Sequence, residues 1–271
     1  MNRIDELFAK LRADGGRALM PYLTAGDPDI ATTGQLLQAL QAAGAMICEL
    51  GIPFSDPIAD GPVIQASMAH ALDNGLRTQQ VFDTVAEHRS SLSMGLVAMV
   101  SYSIVHRHGD AFLADAKQAG FDGFIIPDLP VEESEQTTAR VREAGLICSC
   151  LIAPTTPIER AQQIAKTCSG FVYLLSRSGI TGEKSELPSD LPDRVKALRD
   201  VTDLPIAVGF GISSADQVRQ VVSVADAAIV GSAIMRRIAT VREQGTDAVI
   251  RDVEQFVTEL SSGLAGATQL S

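Results

Sequence analysis

The sequence predicts an α/β fold, a single-domain (β/α)8 TIM barrel with an extra N-terminal helix. Eight strand-sized runs rich in Val, Ile and Leu recur along the 271 residues. They do not alternate clearly in polarity, as expected of parallel strands covered on both faces. Segments with helical spacing separate them, and about 250 residues is the usual size of one such barrel.

The elements follow in order. Met1-Asn2-Arg3-Ile4-Asp5-Glu6-Leu7-Phe8 is charged where a secretory signal needs an apolar stretch, and it opens a helix ahead of the first strand. Strands are expected near Ala18–Leu23, Met46–Leu50, Leu96–Tyr102, Gly123–Ile126, Ile147–Ile152, Phe171–Leu175, Ile206–Val208 and Ala227–Val230. Between them Leu36, Leu37, Leu40 and Ala43 share one helical face, as do Ile158, Ala161, Ile164 and Ala165. Val249, Val253, Phe256, Val257 and Leu260 form the last stripe. The barrel is expected over residues 1–262, with 263–271 a frayed tail of small and polar residues. A doubly wound open sheet is the alternative; no GxGxxG follows the first strand, which removes its usual nucleotide-binding form.

Composition narrows the function. Hydrophobic residues make up 46%, enough for a full core, and no apolar run reaches transmembrane length. A soluble, cytoplasmic protein is expected. The formal net charge of −11 argues against nucleic acid or an anionic membrane as partner. It also requires that any anionic substrate be held by local donors. Cys48, Cys148, Cys150 and Cys168 lack CxxC spacing and are read as buried reduced thiols. His106 and His108, in an expected loop beside Arg107, are too few to argue for a metal, and none is expected.

Glu49 is the most informative residue. It lies in the apolar run Ala45-Met46-Ile47-Cys48-Glu49-Leu50-Gly51, with no Lys or Arg within twenty residues on either side. An unpaired carboxylate buried there would escape by a pKa shift. Asp60 closes the polar loop that begins at Pro53. Two acids in different environments can divide acid and base roles at one site.

Active sites of these barrels lie at the C-terminal ends of the strands. Those positions hold Glu49 and the Asp60 loop, Tyr102, Pro127-Asp128, Tyr173 with the loop Ser176–Lys184, Gly209-Phe210-Gly211-Ile212-Ser213-Ser214, and Gly231-Ser232. All three tyrosines, Tyr22, Tyr102 and Tyr173, map to expected strands. Tyrosine favours strands on its own account, but the placement also fits a pocket for a flat aromatic substrate. The two glycine-serine turns after strands seven and eight fit a phosphate cradle built from backbone N–H groups. Ser213 and Ser214 are equally ordinary helix caps. Lys10, Lys117, Lys166, Lys184 and Lys196 all fall off the expected strands, which disfavours a Schiff-base aldolase or covalently held pyridoxal phosphate. Acid/base chemistry on an aromatic phosphate remains.

Four stretches, Pro21–Pro28, Glu49–Pro62, Tyr173–Gly182 and Gly209–Ser213, closely resemble the tryptophan synthase alpha-subunit family, in register from the first helix to about Leu260. The resemblance implies retro-aldol cleavage of indole-3-glycerol phosphate to indole and glyceraldehyde 3-phosphate, in L-tryptophan biosynthesis. It implies Glu49 as general acid/base, Asp60 as the carboxylate bound to the indole N–H, and Tyr173 close to the reacting carbons. Gly182, Gly211, Gly231 and Ser232 match phosphate contacts; Tyr22, Tyr102 and Phe210 match the indole pocket; Thr181 matches a loop threonine that meets Asp60 on closure. A beta subunit carrying pyridoxal phosphate is the implied partner, in an alpha2beta2 heterotetramer, with no cofactor in this chain. Where the family often has Tyr-x-Asn-Pro, this chain has Tyr102-Ser103-Ile104-Val105. The alternatives are another phosphate-binding barrel, such as an indole-glycerol phosphate synthase or sugar-phosphate isomerase, and a catalytically silent activator of a beta subunit.

Overall fold

A computed structural model describes residues 2–58, 60–176, 188–209 and 211–265. Eight parallel strands close into a barrel in sequence order: β1 (Ala18–Thr24), β2 (Ile47–Gly51), β3 (Gly95–Met99), β4 (Gly123–Ile126), β5 (Ile147–Ile152), β6 (Val172–Leu175), β7 (Ile206–Gly209) and β8 (Ala227–Val230). The helices are α1 (Arg3–Ala13), α2 (Ile30–Ala42), α3 (Pro62–Asp73), α4 (Thr78–His88), α5 (Tyr102–Ala119), α6 (Val131–Glu143), α7 (Ile158–Thr167), α8 (Leu191–Arg199), α9 (Ala215–Val222), α10 (Ser232–Ile238), α11 (Val241–Gln244) and α12 (Thr246–Ser261). Both faces of the strands are buried, so every residue of β1 and β2 is inaccessible.

The extra helix α1 is capped by Asn2, whose side chain accepts from the Ile4 N–H. Its Ile4 and Phe8 are buried, and Phe8 packs on Phe171 with ring centroids 6.0 Å apart. Asn2 Nδ2 also donates to the Asp122 carbonyl at 2.8 Å, which pins α1 across the N-terminal end of the barrel. All four cysteines are free and buried.

Strand three is shorter than expected. It ends at Met99, and Tyr102 starts α5 instead of ending β3. The reason is local. Ser101 caps the helix, and Asp128 beyond β4 accepts both the Tyr102 N–H and the Ser101 hydroxyl at 2.7 Å. An N–H claimed by a carboxylate is lost to the sheet. His106 and His108 consequently lie on α5, not in a loop. At the C-terminus the tail expected from Gly263 begins within a 3-10 turn, Ser262–Leu264, where Gly263 is buried beside α9. Residues 266–271 lie outside the described residues.

Candidate active site

The site forms where β1, β2 and β6 end. Tyr22 and Glu49 are direct register partners across β1 and β2, and Tyr173 pairs with Leu151 and Ala207. Tyr22 is 3%, Glu49 0% and Tyr173 6% exposed. A short polar cluster thus sits in an apolar interior. The Tyr22 ring can lie across β2 because residue 51 is glycine: a Cβ there would stand 2.1 Å from the Tyr22 hydroxyl.

Neither oxygen of the Glu49 carboxyl has a hydrogen-bond partner among the described residues. Burial pushes its pKa well above the ordinary carboxylate range, and the nearby charge of Asp60 adds to the rise. Asp60, half-buried just before α3, is raised to about 6, first by burial and then by the like charge of Asp128. Both carboxyls are therefore harder to ionise than in water, and for each the first cause is burial. Asp60, expected in a polar loop, thus loses water as Glu49 does. Tyr173 is raised by burial and then by Glu49, Asp60 and Tyr22. Tyr22 is raised by burial and by Asp60 and Glu49. The four groups share one electrostatic neighbourhood.

Tyr102 does not join that cluster through its hydroxyl, which lies 3.3 Å from His106 Nδ1. A small cleft beside Asp60 is lined by apolar Ile52, Phe54, Met99 and Val100, with Asp128 at its edge. Asp128 appears in the sequence only as a strand end. Its position there was the available signal, whereas its reach to Ser101 and Tyr102 depends on the close approach of β3 and β4.

Gly211 has a φ of +81°, a left-handed conformation suited to glycine, with open space where a side chain would project. Ser214 serves as the cap of α9 and accepts from the Gln217 N–H. The Ser213 N–H donates to Gln217 Oε1 at 2.7 Å, so this donor is engaged within the turn. Gly231 and Ser232 open α10. Thr181, Gly182 and Phe210 lie outside the described residues. Among the described residues no three His, Cys, Asp or Glu side chains are grouped to hold a metal ion. The described lysines, Lys10, Lys117, Lys166 and Lys196, stand on helices. A Schiff base with pyridoxal phosphate inside the barrel therefore does not fit them. No helix among the described residues is long and apolar enough to cross a membrane.

Comparison with known proteins agrees with this geometry. The family model described as tryptophan synthase alpha chain matches residues 8–265. A tryptophan synthase alpha chain from Rhodopirellula baltica is 48% identical over 248 residues, 90% of this chain and 89% of that protein. The crystal structure of tryptophan synthase subunit alpha from Legionella pneumophila superposes with a TM-score of 0.87 at 33% identity, covering 97% of this chain and 98% of that one. A chain of ligand-free tryptophan synthase from M. tuberculosis gives 0.85 at 32% identity, covering 97% and 99%. With its closed barrel, its buried Glu49 and these similarities over nearly its whole length, the chain belongs to the tryptophan synthase alpha-chain family, the lyases that cleave indole-3-glycerol phosphate in tryptophan biosynthesis.

Proposed function

We propose that Glu49, Asp60 and Tyr173 carry the cleavage. The observation behind this is the Glu49 carboxyl: fully buried, without a hydrogen-bond partner among the described residues, and close enough to Asp60 to feel its charge. The reaction must protonate the indole carbon that bears the glycerol chain and deprotonate the hydroxyl on the adjoining carbon. In this reading Glu49 enters protonated, the form that burial favours, and gives its proton to the ring carbon. The resulting carboxylate takes the hydroxyl proton as the carbon–carbon bond breaks. That bond's electron pair returns to the ring, the hydroxyl carbon becomes the aldehyde, and Glu49 is restored to its starting form.

Protonation of the ring leaves positive charge spread toward the indole nitrogen. Ionised Asp60, accepting from the N–H, offsets that charge in a site of low polarity. Tyr173 packs at the reacting carbons. Tyr22, Tyr102 and Phe210 would wall the indole. The phosphate would be held by Gly182, Gly211, Gly231 and Ser232. First-turn N–H groups of a helix have no acceptor within it, which supports the contribution of the α10 end. Thr181 would meet Asp60 on closure.

The partner proposed is a tryptophan synthase beta subunit carrying pyridoxal phosphate, in an alpha2beta2 assembly, with a cytoplasmic location. The loop before Asp60 exposes Ile58 at 83%, a large apolar side chain awaiting cover. The deciding experiment is indole release from indole-3-glycerol phosphate by the isolated chain, compared with Glu49→Gln and Asp60→Asn. Activity in the parent and its loss in both variants is expected; a silent parent would favour a role as activator alone.

A further inference from the structure

Thr24 and Ser67, outside the proposed catalytic set, form a buried chain of hydroxyls that ends at Tyr22. Thr24 closes β1 and is 1% exposed; Ser67 lies on α3 and is 6% exposed. Their oxygens are 2.6 Å apart, Tyr22 Oη is 3.1 Å from Thr24 Oγ1, and Ser67 Oγ donates to the Ile64 carbonyl at 2.8 Å.

The direction of this chain follows from proton counting. A carbonyl oxygen can only accept, so the Ile64 contact uses the single Ser67 proton. The short Thr24–Ser67 contact must then use the Thr24 proton. With that proton spent, the phenol donates to Thr24. Assigned in this way, the Tyr22 proton points at Thr24, and the Tyr22 oxygen offers only lone pairs elsewhere.

The same bonds dock a helix. α3 begins two residues after Asp60, and Ser67 lies on its second turn. One turn further, His70 Nδ1 lies 2.7 Å from Asp27 Oδ1 in the loop that follows β1. Two polar ties at i and i+3 thus fasten one face of α3 to the end of β1. Glu49 stands on β2, the neighbour of β1 in the sheet. Apolar side chains would fill the space between β1 and α3 equally well. Buried hydroxyls instead demand a defined partner and so fix distance and direction.

We propose that Thr24 and Ser67 are positioning residues for the cleavage reaction: through α3 they hold Asp60 at its working place relative to Glu49, and they fix the hydroxyl of Tyr22 as an acceptor. This rests on the roles proposed for the two carboxyls, so the test carries one readout of activity and one independent of it.

Thr24→Val, Thr24→Ser and Ser67→Ala would be compared in the full chain. Activity with indole-3-glycerol phosphate should show kcat reduced roughly tenfold in Thr24→Val and Ser67→Ala, KM moved less than about threefold, and near-parent turnover in Thr24→Ser. Independently, the carboxyl titration of Asp60, followed by NMR, should move toward the ordinary range in Thr24→Val and stay in place in Thr24→Ser. The serine variant guards against a fold defect, since it keeps the hydroxyl with a smaller side chain. Equal kcat in the valine and serine variants together with an unmoved Asp60 titration would overturn the proposal. A parent that releases no indole would instead overturn the catalytic reading, while the titration would still judge the docking.

Discussion

Glu49 on β2 is the register partner of Tyr22 on β1, yet neither oxygen of its carboxyl is bonded to Tyr22 or to any other group among the described residues. Burial favours the neutral form of this acid. It is poised to exchange a proton with something that enters the site.

Glu49→Gln should keep the fold and reduce indole release by about 10²–10⁴, the usual contribution of one acid/base group. It should also be the more stable protein at neutral pH. The folded pKa of Glu49 is raised, so the folded state keeps a proton that the unfolded chain gives up as pH climbs past the ordinary glutamate range. Stability is therefore lost with rising pH, by more than about 1 kcal/mol per pH unit, until the folded group ionises. The amide escapes this loss. Melting temperatures of the two proteins should converge near pH 4 and separate toward pH 8; a gap independent of pH would contradict the buried neutral acid.

Asp60→Asn should impair turnover more than binding. An amide can still accept from an indole N–H but cannot offset charge on the ring. In steady-state kinetics kcat should fall by about 10² or more while KM stays within an order of magnitude. A variant that loses affinity and keeps kcat would place Asp60 in binding alone.

Asp128→Asn tests the electrostatics of the pair. In its proposed role Asp60 acts ionised, so kcat/KM of the parent should fall as pH drops through about 6. Burial is the first cause of that value and the like charge of Asp128 the second. Removing the second charge should move the acid limb to lower pH, and burial should keep it above the ordinary aspartate range. The Asn side-chain oxygen can still accept from the Tyr102 N–H, which preserves the start of α5. An acid limb that stays in place would remove Asp128 from the account.

The sequence conveyed the barrel because its signal is repeated: eight apolar runs and the stripes between them tolerate errors of a residue or two at each end. Glu49 was legible for a simpler reason, a lone acid in an apolar strand with no nearby cation. Tyr102 was misplaced because Val100 continues the apolar run and tyrosine itself favours strands, and nothing local announces that Asp128, 26 residues on, claims the Tyr102 N–H. Thr24 and Ser67, 43 positions apart, look like ordinary small polar residues until β1 and α3 meet. Pairings of this kind arise from packing and leave no period in the chain. The rise of the Asp60 pKa was equally hidden, since its two causes are burial and a carboxyl from another strand end.

The final prediction concerns the partner. Ile58 stands 83% exposed two residues before Asp60, next to exposed Asp56, whose carboxylate is bonded to the Ser55 hydroxyl at 2.6 Å. A beta subunit seated on this face would bury Ile58 and hold the Asp60 loop in its working position. Such ordering completes a site and excludes water, so the partner should raise the activity of this chain. Ile58→Asp would place a charge where an apolar contact is expected. Titrating beta subunit into the parent and the variant, with indole release as readout, should show acceleration in the parent and a midpoint shifted at least about tenfold in the variant, equivalent to roughly 1.4 kcal/mol of lost contact. Activity of the two chains without partner should differ far less. Identical titration curves would mean that the beta subunit docks elsewhere and that Ile58 answers to some other surface.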